Sequence, residues 1–286
     1  MLNRYWREYP LLVQMLLFVI MIFVLAGFAI KVVMPVAVHW LTGIQGLDLQ
    51  QLTKESHPGE IRAALLWQGL FSISIFLVPS LLFTYQTTPH MQHYLGLRKP
   101  ASSRHWILTA LLILGAMPVM LQLQALMRMI DFGADAAALQ AANDRLTEAF
   151  LQMPAPGDFI HVFLVMAILP AVGEELFFRG IIMRFIAKRN RRLFADKADA
   201  AGSPGRNSGM LLAIGVTAIL FALMHSSMYG FLSIFFAGFI LGLVYYLTGS
   251  LWCSILAHLI NNGLQIVLVY FSRSNTTLTH MGEADL

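Results

Sequence analysis

Six polar or ionisable side chains lie deep inside long apolar stretches of the sequence, and they are of the types that hydrolytic enzymes use. They are Glu174, Glu175, Arg179, His225, His258 and Asn262. An ionisable residue in a bilayer costs several kcal/mol, so a functional role is the default hypothesis for it. A carboxylate and a histidine that share a water can act as a general base, and an imidazole and an amide can stabilise an oxyanion. We therefore predict that Glu174 and His225 activate a water, while His258 and Asn262 stabilise the tetrahedral intermediate of amide hydrolysis.

The spacing of these residues allows the side chains to converge. His258 and Asn262 are four residues apart, so they lie on the same side of one helix. Glu175 and Arg179 have the same spacing, in the order that favours an ion pair. Glu174 is turned by about 100° from Glu175 around the helix axis. We expect Glu175 and Arg179 to support the site as a pair, and Glu174 to point elsewhere.

The elements that must position these groups are membrane helices. The chain has 286 residues, of which 58% are hydrophobic and 12% charged, whereas soluble domains carry about twice that charged fraction. Its mean hydropathy is +0.69. A helix needs about 20 apolar residues to cross a bilayer, and backbone groups in lipid must be paired internally. The predicted fold class is all-α, a polytopic transmembrane helix bundle with about seven spans, at roughly 11–33, 63–85, 105–127, 159–187, 209–226, 229–247 and 251–271.

The candidate residues come from three of these spans and lie at similar depths. With a rise of about 1.5 Å per residue, Glu174 and His225 lie ~21 Å from the same membrane face. His258 and Asn262 lie ~10 and ~17 Å from that face. Pro170, four residues before Glu174, should distort the helix beside the carboxylate. A stretch at 134–151 is alanine-rich and predicts a short helix outside the membrane.

The net charge of +4 is carried next to the spans, which indicates membrane orientation and no nucleic-acid partner. Basic residues flank the first span, the loop after the second, and the loop after the fourth, where 187–197 reads A-K-R-N-R-R-L-F-A-D-K. These segments fall on one face, which predicts a cytoplasmic N-terminus. The short loops suggest a multi-pass protein of a prokaryotic inner membrane. The single cysteine, Cys253, excludes an internal disulfide.

Three motifs in this part of the chain are similar to those of a known family. E-E-L-F-F-R at 174–179 fits E-E-x-x-x-R, F-A-L-M-H at 221–225 fits F-x-x-x-H, and H-L-I-N-N at 258–262 fits H-x-x-x-N. In this order, on hydrophobic helices, they resemble the CPBP family of CAAX prenyl endopeptidases and bacteriocin-processing enzymes, also called Abi. The resemblance covers roughly residues 158–271.

The resemblance implies an intramembrane endopeptidase that cleaves a membrane-associated protein or peptide. Residues 1–286 are expected to form a single membrane domain, with the catalytic core at 158–271 and additional membrane helices at 1–130. The family is often labelled as metalloproteases. Zinc, which wants three protein ligands and an open position, could be held by Glu174, His225 and His258. We favour no metal, because Asn262 beside His258 is more typical of an oxyanion site.

Two functions from other classes remain as alternatives. Buried glutamate and histidine also occur in proton-coupled transporters, but the first three spans offer little beyond Gln14, Gln68, Gln122 and Gln124 as polar partners. A non-catalytic membrane protein that binds a peptide, for example to confer immunity, could carry the same residues as a pocket. Other intramembrane proteases fit less well, because H-E-x-x-H is absent and every aspartate falls outside the spans.

Overall fold

A computed structural model describes residues 5–187 and 204–284, and side-chain surroundings for 5–187 and 209–272. The described part is all helical, without strands. Its longer helices are α1 (Leu11–Thr42), α2 (Pro58–Thr87), α3 (Met91–Leu95), α4 (Arg104–Arg128), α5 (Ala134–Phe150), α6 (Pro156–Ala187), α7 (Pro204–Met224), α8 (Phe231–Thr248) and α9 (Leu251–Ala284). Most of the basic loop at 187–197 lies outside the described residues.

Six described helices are long and apolar enough to cross a membrane, and the apolar part of α7, Gly209–Met224, is shorter. These helices agree with the predicted bundle of about seven spans and with an integral multi-pass membrane protein. Large apolar side chains cover the outer surfaces of α1 and α4, among them Phe23, Val24, Leu108 and Leu121. Such surfaces are suited to lipid, since hydrocarbon replaces the protein core as their apolar environment.

The candidate residues lie on α6, α7 and α9, which are held together by the rest of the bundle. The helix α6 packs against α2 and α9, α7 packs against α8, and α4 supports α8 and α9. An aromatic cluster joins α1, α2 and α6: the ring centroid of Phe18 lies 4.9 Å from that of Phe83 and 5.3 Å from that of Phe177. The first two spans therefore pack against α6 on one side of the bundle, whereas the third span, α4, packs against α8 and α9.

The helices α7 and α8 approach one another closely because small residues lie where they touch. A Cβ atom at Gly238 would lie 3.0 Å from Phe221 Cδ1 and 3.3 Å from Ala218 Cα, and one at Gly242 would lie 3.0 Å from Ile214 Cγ2. Small residues at such contacts let the backbones of membrane helices pack directly. The close approach brings the carbonyl group of Gly238 within reach of the candidate site.

The helix α5 lies outside the membrane spans, as the sequence predicts. Gln140 Oε1 of this helix accepts a hydrogen bond from Ser227 Oγ at 2.7 Å. The ring of Phe132, just before α5, packs edge to face against Tyr229 at 5.3 Å. These contacts fasten the segment to the turn between α7 and α8, directly after His225.

Candidate active site

The helix α6 is irregular on both sides of its two glutamates. It is wound as a π-helix at Leu164–Ile168 and again at Phe178–Ile182, with α-helix at Leu169–Phe177 between them. Single π-turns within α-helices occur frequently at functional sites. Pro170 is the second residue of the middle segment, so the expected distortion lies directly before it. The glutamates are therefore presented from a short α-helical segment between two widened turns.

Glu175 is the centre of a fully buried polar cluster. Its Oε1 accepts hydrogen bonds from Arg179 Nη1 at 2.7 Å and from His258 Nδ1 at 3.0 Å. Its Oε2 accepts one from Ser254 Oγ at 2.6 Å. Glu175 and Arg179 have no exposed side-chain surface. The expected pair between Glu175 and Arg179 is thus present, and Glu175 also fixes the imidazole of His258.

The guanidinium group of Arg179 is held by more than the carboxylate. Its Nη2 donates a hydrogen bond of 2.7 Å to the carbonyl oxygen of Gly238. Its central carbon lies 4.8 Å from the ring centroid of Phe221, a cation–π distance. Arg179 therefore ties α6 to both α7 and α8.

Both histidines use Nδ1 for an internal hydrogen bond. An ionised carboxylate and a backbone carbonyl only accept, so His258 donates from Nδ1 to Glu175, and His225 donates from Nδ1 to Phe221 O at 2.7 Å. In a neutral imidazole the other nitrogen, Nε2, is then an acceptor. Because its Nδ1–H is already directed at Glu175, His258 can donate to an oxyanion from Nε2 only as an imidazolium.

Phe221 separates the two imidazoles. Its ring centroid lies 4.7 Å from that of His225 and 5.9 Å from that of His258. His258 is buried, whereas His225 is exposed at the end of α7. The residue after it, Ser226, has a φ of +50°, an unusual conformation for a residue other than glycine. The backbone therefore leaves the direction of α7 directly after His225.

Glu174 differs from Glu175 in having no protein partner for Oε2. That oxygen is buried and has no hydrogen bond to any described residue, while the residue as a whole is 8% exposed. His225 and His258 both lie within electrostatic range of the carboxylate. A buried acceptor without a partner is rare, because its desolvation is uncompensated. Glu174 is therefore the carboxylate that has an oxygen available for a water or a substrate.

Asn262 lies beside the cluster and bridges to α6. Its Nδ2 donates to the carbonyl oxygen of Met166 at 3.3 Å, and its Oδ1 accepts from Asn261 Nδ2 at 3.0 Å. Pro170 has no N–H, so it cannot give Met166 O the usual hydrogen bond from four residues ahead. Asn262 therefore supplies a donor at a carbonyl that proline deprives of one. The second N–H of the amide has no hydrogen-bond acceptor among the described residues.

The zinc alternative would place the metal between Glu174, His225 and His258. No group of three or more histidine, cysteine, aspartate or glutamate side chains is arranged to hold a metal within the described part of the chain. The Nδ1 contact of His258 with Glu175 would suit a metal-bound imidazole, since metal-ligating histidines commonly donate to a carboxylate. The arrangement of Glu174, His225 and His258 nevertheless does not match a coordination shell.

Sequence patterns identified the ionisable members of the site but not the residues that orient them. Ser254, Phe221 and the carbonyl of Gly238 all contact the cluster and were not among the candidates. A signal for two of them is present in the sequence. Ser254 lies four residues before His258, and Phe221 lies four residues before His225, so each shares a helix face with its histidine.

Comparison with known proteins agrees with the motifs. Residues 156–264 match the family model described as Rce1-like, type II CAAX prenyl endopeptidase. This segment includes α6, α7, α8 and the site-bearing part of α9, and it confirms the resemblance to the CPBP family. The family indicates a peptidase of the CAAX type. No curated protein and no solved structure matches the chain.

Proposed function

We propose that the chain is an intramembrane endopeptidase that hydrolyses a peptide bond of a membrane-associated protein or peptide. In this proposal Glu174 and His225 activate the water, and His258 and Asn262 stabilise the oxyanion. Glu175 and Arg179 are positioning residues that act through His258. The catalytic core is 158–271, and 1–130 supplies additional membrane helices within a single membrane domain.

The observation that carries the proposal is the contrast between the two adjacent glutamates. Glu175 is fully engaged by Arg179, Ser254 and His258. Glu174 has a buried oxygen without a partner, close to two histidines. A structural ion pair explains the first glutamate but leaves the second with an uncompensated desolvation cost. A water-activating role explains both.

The proposed reaction uses these groups in sequence. A water bound at Glu174 gives a proton to the carboxylate as its oxygen attacks the scissile carbonyl carbon, with His225 Nε2 as the second acceptor nearby. The carbonyl oxygen becomes an oxyanion, to which the His258 imidazolium and the remaining Asn262 N–H donate. Glu174 then returns the proton to the amide nitrogen, the C–N bond breaks, and a carboxyl and an amine product leave.

The surroundings of the site support a membrane-associated substrate. The catalytic side chains come from membrane spans, so the substrate must reach them from the bilayer or from its surface. We propose a prokaryotic inner membrane with the N-terminus in the cytoplasm, from the basic segments beside the spans. Nucleic acid is not expected as a partner.

The direct test compares protein termini in membranes from cells that express wild type, Glu174→Gln or Glu148→Gln. The first variant keeps the shape of the side chain and removes the proton acceptor. The second changes an exposed glutamate of α5 and serves as the control. New termini should appear with wild type and Glu148→Gln and be absent with Glu174→Gln at equal expression. A phenotype without new termini, retained by Glu174→Gln, would instead support a peptide-binding or immunity protein.

The same variants distinguish an endopeptidase from a proton-coupled transporter. The glutamines of the first spans do not form an internal relay: Gln14 donates to the carbonyl of Tyr9 at 2.7 Å, and Gln68 and Gln122 are exposed. Substrate accumulation without cleavage would support a transporter over the proposal.

Metal dependence is tested on the purified protein. We expect cleavage to persist after dialysis against a chelator, because Glu174, His225 and His258 are not arranged as a metal shell. Loss of cleavage that zinc restores, with an unchanged melting temperature, would contradict the metal-free mechanism and favour the zinc alternative.

A further inference from the structure

A cavity lies at the ends of several membrane helices, away from the candidate active site. It has a volume of about 520 Å³ and is formed by the start of α1, the segment around α3, the end of α6, the start of α7 and the end of α8. Arg184, in its wall, follows Glu174 by ten residues on α6, a rise of ~15 Å. None of the six candidate site residues lines it. We call it the surface cavity.

Two arginines bring positive charge to the surface cavity. Arg184 donates from Nε and Nη2 to the hydroxyl of Tyr245, at 3.1 and 2.7 Å, and its guanidinium lies 5.5 Å from the ring centroid of Tyr94. Arg98 donates from Nε to the carbonyl of Gly249 at 3.1 Å. Among the described residues no carboxylate pairs with either arginine. Most of their N–H donors therefore have no acceptor in the described part of the protein.

The cavity wall around Arg98 is fixed by hydrogen bonds to the α8–α9 turn. Leu251 N donates to Gly96 O at 2.9 Å, and Ser250 Oγ donates to Arg98 O at 2.6 Å. Gly96 has a φ of +76°, and a Cβ atom there would lie 2.5 Å from the hydroxyl oxygen of Tyr245. The chain thus holds the backbone of Arg98 against the group that orients Arg184, so both arginines stay near one cavity.

The nearby Tyr94 does not neutralise the positive charge of the two arginines. Burial raises the pKa of Tyr94 to about 12, despite the nearby guanidinium of Arg184. The phenol is therefore neutral at physiological pH and does not act as an internal counter-ion. Arginines near span ends often extend to the interface simply to reach water. That tendency explains why Arg98 and Arg184 lie near the ends of the spans. It does not explain why both guanidinium groups are held beside one cavity by neutral groups, the Tyr245 hydroxyl and the Gly249 carbonyl.

The location and lining of the surface cavity indicate its occupant. Guanidinium groups bind phosphate oxygens well, and basic pockets between membrane helices bind the headgroups of anionic lipids. Met183, Phe185 and Met210 supply an apolar wall beside the arginines, which suits the glycerol and upper acyl carbons of a lipid. We propose that the surface cavity binds the phosphate headgroup of an anionic glycerophospholipid through Arg98 and Arg184.

The test measures lipid binding by the purified full chain with native mass spectrometry, using phosphatidylglycerol and phosphatidylcholine as probes. Wild type should retain phosphatidylglycerol in preference to phosphatidylcholine. Arg98→Gln/Arg184→Gln should weaken that retention by about tenfold for each arginine, since each removes charge-assisted hydrogen bonds. Arg104→Gln, an exposed arginine outside the cavity, should bind as wild type does. Should the double variant fail to fold, Arg98→Gln alone carries the test, because that side chain is exposed.

Three results would overturn the proposal. One is equal retention of the two lipids by wild type. Another is an unchanged preference in the folded arginine variants. The third is displacement of phosphatidylglycerol by millimolar inorganic phosphate, or by a peptide through its free carboxylate, which would assign the cavity to a soluble anion. Lipid binding does not depend on proteolysis, so the outcome is independent of the Glu174→Gln experiment.

Discussion

The buried pair of Glu175 and Arg179 permits a quantitative prediction for stability. Both side chains have no exposed surface, and the two charged groups are 2.7 Å apart. Removing one partner of a buried pair leaves the other charge uncompensated, which costs about 3–5 kcal/mol. We expect this destabilisation for Arg179→Met, which keeps an apolar side chain of similar length, and for Glu175→Gln, which keeps the shape of the carboxylate.

The double variant separates charge compensation from packing. With both charges absent, the unpaired charge is gone, and replacement of a buried pair by well-packed neutral groups is often close to neutral. Glu175→Gln/Arg179→Met should therefore be more stable than Arg179→Met alone. The cation–π contact with Phe221 and the bond to Gly238 O are lost in both, so they cancel in this comparison.

The assay is reversible unfolding in mixed micelles of dodecyl maltoside and dodecyl sulfate, followed by tryptophan fluorescence. Arg62→Met is the control, because Arg62 pairs with Asp158 at 2.8 Å but its side chain is 53% exposed. A pair with so exposed a partner contributes little to stability, so Arg62→Met should unfold much as wild type does. If the double variant loses as much stability as the two single variants combined, the pair is not energetically coupled and the reasoning is refuted.

Two further predictions concern the helix contacts that hold the site. Gly238→Ala should lower the free energy of unfolding by about 1–3 kcal/mol and reduce cleavage, because its methyl group would press on Phe221 and Ala218. Gly115→Ala is the control: it has open space around it and should be neutral or stabilising. Unfolding and peptidase assays measure both variants, and a Gly238→Ala variant that behaves as wild type does would contradict the close contact. Asn262→Ala should lower the free energy of unfolding by about 1–3 kcal/mol in wild type. The loss should be smaller in a Pro170→Ala background, because the restored N–H of residue 170 can bond Met166 O. A double-mutant cycle measures the difference, and equal losses of stability in the two backgrounds would show that Asn262 does not compensate for the proline.

The fold class followed from the sequence because lipid imposes a simple rule. Apolar runs such as 63–85 and 105–127 must be helical in a bilayer, whatever their neighbours are, and the structure has α2 and α4 over those stretches. The helix at Ala134–Phe150 was likewise predictable from its alanine content. Three of the four described π-helical segments end two residues before a proline, at Pro35, Pro79 and Pro170, but no proline marks the fourth, Phe178–Ile182, so that break was not predictable.

The candidate site was predictable as a set of residues but not as an arrangement. Depth and spacing placed Glu174, His225 and His258 in one layer, and local i, i+4 geometry predicted the pair of Glu175 with Arg179. Those inferences need only the period and rise of a helix, which are the same in every protein.

Local spacing predicted that Glu175 pairs with Arg179, but only tertiary structure decided which groups of other helices surround each glutamate. The rotation between Glu174 and Glu175 is known from the sequence, but the helix that each one faces depends on how α6, α7 and α9 pack. Ser254 and His258 reach Glu175 from α9, and the closeness of α7 to α8 at Gly238 provides the acceptor for Arg179. Contacts between residues 59 to 83 positions apart are set by the packing of whole helices, and no local pattern in the chain encodes them.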